Sequence, residues 1–472
     1  MLNRAGGARN LGLKLAHRFG WGLADQGMSS LSNAALSFYV ARELGATEFG
    51  AFSIVYVTYS FALNASRGLA TEPLLVRFSH AEIRAWRWAV KRSTGTSVLA
   101  GIAMGICALM AGAAIKGTLG VAFIALGLTM PGLMLQDSWR YAFFALGRGS
   151  QSLLNDTVWT VAMFVAMVAL RVMHYDSVFW FVLIWGLTAT FAACIGPLQS
   201  RVIPNPLCAL EWMARNRDLG PRFLAENTSN AGAVQLRIYC IGGIAGLATV
   251  AYVQAAGLLL GPFLVVFMGI SIVTVPEAAR VLRNSPHHLR RYCLLVGAAL
   301  AIGCALWGVA LLATIPRGLG DLLLGAKLWR PAYALVIPYT ITVMGSCFTQ
   351  GAMAGLHALG AAHRSLRSMI FGSALYLGLG VGGAFYHGAT GTVWGTAIAT
   401  WLGTMMWWGQ LHTGLREAGH SKVRVPLLHL AGRHRRVPAG QRLSSGHDGR
   451  PGVRPGPLRA PSPIGDGASE IG

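Results

Sequence analysis

From Leu247 to Pro276 the chain runs for thirty residues without a charged side chain, and shorter runs of the same kind recur along most of its length. An α-helix rises 1.5 Å per residue, so about 20 apolar residues cross a hydrocarbon core of about 30 Å. Charged residues make up only 12% of the 472 positions and hydrophobic ones 54%, whereas a soluble domain is about a quarter charged. Too little polar surface remains to cover a water-exposed globule of this size. The hydropathy pattern predicts helices over 20–42, 46–66 or longer, 93–115, 119–146, 151–172, 177–197, 223–245, 247–275, 291–313, 332–356, 366–386 and 391–412. The expected fold class is an all-α polytopic membrane protein with twelve transmembrane helices.

The basic charge follows the loops. Arg42, Lys116, Arg171, Arg317, Lys327 and Arg330 fall on one side of this alternation, and the great majority of Lys and Arg fall on the side of the termini. The positive-inside bias therefore predicts that both termini are cytoplasmic. A net charge of +22 would otherwise suggest a nucleic-acid partner, but charge spread over membrane loops argues against one. The start, MLNRAGGARNLGLKLAHRFG, leads into a stretch long enough to span and reads as a retained first helix. The seven cysteines are odd in number and scattered through apolar runs, so no disulfide framework or zinc spacing emerges. Trp86, Trp88, Trp329, Trp407 and Trp408 lie near predicted helix ends and are expected in the interfacial belt.

A repeat divides the chain. Ala24-Asp25-Gln26 is matched by Ala225-Glu226-Asn227 at an offset of 201 residues. The pattern T-x-P-x-x-x-R occurs at Thr71–Arg77 and Thr274–Arg280, an offset of 203. Ala145-Leu146-Gly147 is matched by Ala358-Leu359-Gly360 at 213. Each match lies six helices after its partner, and an even number implies two halves related by a pseudo-two-fold axis along the membrane normal. The expected organisation is a basic cytoplasmic N-terminus (1–19), an N-lobe (20–200), a cytoplasmic linker (201–222), a C-lobe (223–412) and a disordered cytoplasmic tail (413–472). The last is rich in Gly, Pro and Arg and poor in large apolar residues.

Polar residues inside membrane spans are costly, about 2.5–3.5 kcal/mol for a charge, and mark functional sites. The length of helix eight, mapped back by the repeat, would place Arg67 inside helix two, with Ser60, Asn64, Arg67 and Thr71 on one helical stripe. Alternatively helix two ends near Ala65 and Arg67 is a cytoplasmic anchor. Helix one offers Gln26 and Asn33 on one face, with Asp25 at the cytoplasmic mouth. On helix four, Asp137 and Arg140 are three apart and able to pair. Asp156 sits in helix five, and helix seven carries Glu226, Asn230 and Arg237, the last near its middle. Arg67, Arg140 and Arg237 are candidates for holding phosphate oxygens, which a guanidinium fork fits bidentately. Asp25, Asp137, Asp156 and Glu226 either couple transport to protons or sodium or simply balance the arginines.

The stretches ADQGMSSLSNAALSFYVARELGATEFGAFSIVYVTYSFALNASRGLATEPLLVRFS (24–79) and LMLQDSWRYAFFALGRGSQ (133–151) resemble bacterial polysaccharide flippases of the O-antigen/teichoic-acid type. These belong to the multidrug/oligosaccharidyl-lipid/polysaccharide exporter superfamily, and the resemblance covers about residues 15–415. It implies a two-lobed, alternating-access bundle that moves an undecaprenyl-diphosphate-linked oligosaccharide to the outer leaflet of a bacterial inner membrane. It also implies cavity arginines on the first, second and eighth helices, as in the related lipid-II flippases. Arg67 matches the second-helix role. Helix one has no arginine between Arg18 and Arg42 and helix eight none before Arg280, so Arg237 and Arg140 are the substitutes. Expected partners are the lipid-linked glycan, membrane lipids and a glycan polymerase or glycosyltransferase, with no cofactor and no metal.

Other classes compete. A drug/cation antiporter of the same superfamily would favour an acidic or aromatic cavity, which interior arginines oppose. A membrane glycan polymerase or ligase would need a large outer loop, whereas the longest expected here runs only from about Pro316 to Trp329. No Walker A loop, D-x-D or H-E-x-x-H motif occurs, so the chain is expected not to be an enzyme. A non-transporting scaffold for glycan synthesis is the remaining alternative.

Overall fold

The computed structural model describes residues 2–79 and 81–420. Among these, helices follow one another without a strand: α1 (Leu2–Glu43), α2 (Ala46–Ser66), α3 (Glu72–Phe78), α4 (Ile83–Ala114), α5 (Thr118–Ala145), α6 (Gly149–Val172), α7 (Val178–Ser200) and α8 (Ala209–Arg215). There follow α9 (Gly220–Ala245), α10 (Leu247–Asn284), α11 (Leu289–Thr314), α12 (Leu319–Ala334), α13 (Val336–Ala358) and α14 (Ala362–His420). The N-terminal segment 1–19 is thus helical from Leu2 and continuous with the first span. The tail expected from 413 is helical to His420, and 421–472 lie outside the described residues.

Seven of these helices are long and apolar enough to cross a membrane, among them α4–α7, α10, α11 and α14, and α12 with α13 forms one further span bent by 63°. Helix α14 leaves helical geometry at His387 and Gly388, so it supplies two spans, 362–386 and 389–420. Adding α1, α2 and α9 gives twelve. Those three fall outside the apolar set because they carry the polar residues: Asp25, Gln26 and Asn33 on α1, Asn64 at the end of α2, Glu226 and Arg237 on α9. The chain is a multi-pass membrane protein whose least apolar helices hold much of its interior chemistry. The face at which α1 begins is called the near face below, and the opposite one the far face.

The repeat is visible in backbone detail. Helix α5 ends with Gly147 at φ 72° and α13 with Gly360 at φ 68°. At the first, Gly147 N donates to the Phe144 carbonyl and Arg148 N to that of Phe143; at the second, Gly360 N donates to His357 and Ala361 N to Leu356. The same left-handed glycine stop closes the fourth span of each half, because only glycine enters that conformation without a Cβ penalty.

Within a lipid bilayer helices associate by close packing rather than by the hydrophobic effect, and small residues permit it. On α4, a Cβ at Gly101 would fall 2.7 Å from Pro131 Cα of α5, and one at Gly105 2.7 Å from the Gly127 carbonyl. Between the halves, α2 contacts α9 and α10, and α1 contacts α12. At the far face a Cβ on Gly50 would lie 2.0 Å from the Leu247 carbonyl, and Arg42 donates from Nη1 to the Leu322 carbonyl at 3.2 Å. The segment expected to be an outer loop, 316–329, is therefore largely the helix α12, and it closes over the end of α1. At the near face a Cβ on Gly68 would meet Leu224 N at 2.6 Å.

The segment 201–222 is not extended. It folds into a 3-10 turn (Pro206–Cys208) and α8, pinned to α4 by Asn205 N donating to the Lys91 carbonyl at 3.0 Å. Arg77 grips both oxygens of Asp218 at 2.6 and 2.7 Å. Trp86 and Trp407 depart from the expected belt: they are 1% and 8% exposed. Trp86 turns inward because its indole N–H donates to the Ala142 carbonyl at 3.0 Å.

Candidate functional site

The second rod does not end at Ala65. After Ser66 it passes through a five-residue π-helical turn, Arg67–Thr71, and continues as α3 to Phe78. Pro73 supplies the reason: it has no N–H to donate, and its ring crowds the carbonyl four residues earlier, which a wider turn relieves. The Ala70 carbonyl is satisfied from outside, by Ser93 Oγ at 2.9 Å and Trp212 Nε1 at 3.2 Å. Arg67 is thus inside a continuous helix, roughly three turns before its end.

Its guanidinium reaches α5. Nε and Nη2 donate to Asp137 Oδ2 and Oδ1 at 2.9 and 2.6 Å, and the cation stands 5.3 Å from the centre of the Tyr141 ring. The expected Asp137–Arg140 pair is stretched to 3.9 Å, because Arg67 occupies the carboxylate. Arg140 instead donates to Asp25 Oδ2 at 2.7 Å and lies 3.2 Å from Asp156 Oδ2. Asp25 is fully buried rather than at a mouth, and its other oxygen accepts from Ser152 Oγ at 2.8 Å. Gln136 donates to Asp156 at 2.7 Å. This N-lobe cluster therefore sets three carboxylates against two guanidiniums, one carboxylate in excess, among closely packed helices. Among the described residues no group of three His, Cys, Asp or Glu side chains is arranged as a metal site.

Arg237 is placed differently. It is 5% exposed, and its Nε has no hydrogen-bond partner. Among the described residues it forms no ion pair; its guanidinium rests on the Tyr376 ring, 4.4 Å from the centroid. Gly380 makes room for the side chain, its would-be Cβ lying 3.1 Å from Arg237 Cδ. Depth separates it from the N-lobe cluster. Gly68, next to Arg67, touches Leu224, and Arg237 lies thirteen residues further along α9, about 20 Å toward the far face. The three arginines do not share one hollow.

The remaining predicted residues are less engaged. Asn64 donates to its own helix at the Ser60 carbonyl, 2.8 Å away, and its carbonyl accepts from Asn227 at the α2–α9 contact. Gln26 is exposed and donates to Ser30 Oγ at 3.3 Å. Asn33 is half-buried and Glu226 exposed. The side chain of Asn230 lies outside the described residues. Sequence reasoning missed Ser152 and Tyr141, which complete the N-lobe cluster, and Tyr376, which carries Arg237; a hydroxyl or a ring on an apolar helix gives no signal until its partner is known.

The C-lobe also has an open cavity of about 380 Å³ between α9, α10, α13 and the two halves of α14. Its wall includes Gln350, Ser368, Ser373 and Tyr376 on one hand and Phe267 and Trp407 on the other.

No protein-family model matches the chain, and no curated protein matches it. Solved structures do. An inward-facing multidrug-resistance transporter of the MATE family, described as a member of the MOP superfamily, superposes with a TM-score of 0.64 at 15% identity, covering 84% of this chain and 96% of that one. The lipid II flippase MurJ in an inward closed conformation gives 0.59 at 9% identity, covering 84% and 89%. The chain thus shares its fold, two lobes of six spans each, with these two solved transporters.

Proposed function

We propose that this chain is a transporter, working from a bacterial inner membrane with both termini cytoplasmic, that moves an undecaprenyl-diphosphate-linked oligosaccharide to the outer leaflet by alternating access. The observation that carries this reading is the solitary Arg237. An unpaired buried cation is costly, and the diphosphate of a lipid-linked sugar would supply its missing counter-ion through charge-assisted hydrogen bonds. Arg67 would meet the headgroup nearer the cytoplasm, exchanging part of its contact with Asp137 for phosphate, so the two arginines act at successive depths. The acidic surplus formed by Asp25, Asp137 and Asp156 would take up the coupling proton or cation. Contacts at Gly50 and Arg42 keep the outer side shut while the substrate enters.

A drug/cation antiporter is the second reading, because the same acidic surplus would suit a cationic substrate. Reconstitution in vesicles separates the two. A fluorescent polyprenyl-diphosphate oligosaccharide should change leaflets only with the protein present and lose that movement in Arg237→Ala. Efflux of ethidium without movement of the lipid would instead establish the antiporter.

A further inference from the structure

We infer that the C-lobe cavity is a sugar subsite, receiving the first sugar of the substrate while its phosphate lies against Arg237; this rests on the lipid-linked glycan reading above. Within a membrane-embedded lobe, polar groups are expected to find partners among themselves. Here they do not. Ser368 is fully buried and its Oγ has no partner. Gln350 is 7% exposed, and its amide, the Ser373 hydroxyl and the Tyr376 hydroxyl make no hydrogen bond among the described residues. Gln350, Ser373 and Tyr376 border one space of about 380 Å³, and Ser368 sits in its wall with the hydroxyl closed off; the volume is toward the small end of the range of about 300–1,000 Å³ for small-molecule sites.

The chemistry of the wall selects the ligand. An amide and two hydroxyls, those of Gln350, Ser373 and Tyr376, can each give and take hydrogen bonds, which suits a polyhydroxylated ring rather than a hydrocarbon chain. Phe267 and Trp407 add flat apolar surface, against which the C–H face of a sugar can lie. A drug cation has no use for these hydroxyls and would be repelled by the charge next to them. That charge is at one end: the Tyr376 ring that borders the cavity is the ring on which the Arg237 guanidinium rests, 4.4 Å away. Helical rise puts Ser368 about 9 Å above the near-face start of α14 and Tyr376 about 12 Å beyond that, so the arrangement runs from the cytoplasmic side inward, sugar wall first and cation last. A glycosyl phosphate has the matching polarity.

Binding to the full chain in nanodiscs tests this, with undecaprenyl diphosphate and the same lipid bearing one hexose or one N-acetylhexosamine as probes. The unaltered protein should prefer a sugar-bearing lipid by about tenfold, the worth of one or two hydrogen bonds. Gln350→Leu and Ser373→Val should each bring that ratio toward one. Arg237→Gln should weaken both lipids and keep the ratio. Equal affinity for bare and glycosylated lipid, or a preference unchanged in both cavity variants, would overturn the sugar subsite and leave Arg237 as a diphosphate anchor. Failure to bind either lipid would remove the flippase reading and the subsite with it.

Discussion

Arg67 and Asp137, seventy residues apart in the chain, meet in a two-point ion pair with contacts of 2.6 and 2.9 Å, while Arg237 in the other lobe has no carboxylate partner among the described residues. Interior arginines of one protein thus carry opposite energetic consequences. Removing one member of the N-lobe pair would strand a buried charge, whereas the C-lobe guanidinium already rests only on the Tyr376 ring.

Arg67→Ala strands a carboxylate that is 5% exposed on its side chain. Breaking a buried pair from one side destabilises by several kcal/mol, and with Arg67 partly exposed about 3 kcal/mol is expected. Thermal melting in detergent should register this loss, and Arg67→Ala with Asp137→Ala together should recover much of it. Arg67→Lys should keep the charge but lose the second hydrogen bond, with partial transport. A double variant no more stable than Arg67→Ala would contradict the pairing.

Arg237→Leu should behave in the opposite way. Removing an uncompensated buried cation leaves no partner stranded, so the melting temperature should hold or rise while lipid movement is lost. A large drop in melting temperature with transport intact would show that Arg237 serves the fold instead.

Asp156→Asn should bring the N-lobe cluster to two carboxylates against two guanidiniums. If the surplus charge takes up the coupling ion, transport in vesicles should lose its response to an imposed proton or sodium gradient and keep a slow, gradient-independent rate. An undiminished response would move the coupling elsewhere.

Gly50→Val places a side chain where the Leu247 carbonyl already stands, since even a Cβ would come within 2.0 Å. Helices α2 and α10 would then be unable to close at the far face. Transport should fall by at least about tenfold, a change of about 1.4 kcal/mol, while membrane insertion is preserved. Normal transport would mean that this contact is not part of the cycle.

The membrane class, the twelve spans and the doubling of the chain were legible in the sequence, because each depends on local quantities: apolar run length, and glycine and proline at fixed spacing. The glycine stop repeated at Gly147 and Gly360 is one case, where a short A-L-G match stood for the same backbone turn. The placement of Arg67 within helix two also came from the repeat. Pro73 was in view, but the π turn beside it was not.

The assignment of partners was decided elsewhere. Asp137 and Arg140 were close enough in sequence to suggest a pair, yet side chains three apart on one helix compete with every neighbouring helix. Arg67 and Asp25 won that competition through better geometry. Asp25 moved from an expected mouth to full burial because Ser152 and Arg140 enclose it. The sequence by itself determined which residues are polar within the membrane and on which spans they sit. Only the tertiary structure decided which charges cancel, that Arg237 lies deeper than the rest with no ion pair among the described residues, and that a partly hydroxyl-lined space lies beside it. Electrostatic compensation depends on distances of a few ångströms between helices, and nothing in the order of residues along the chain encodes those distances directly.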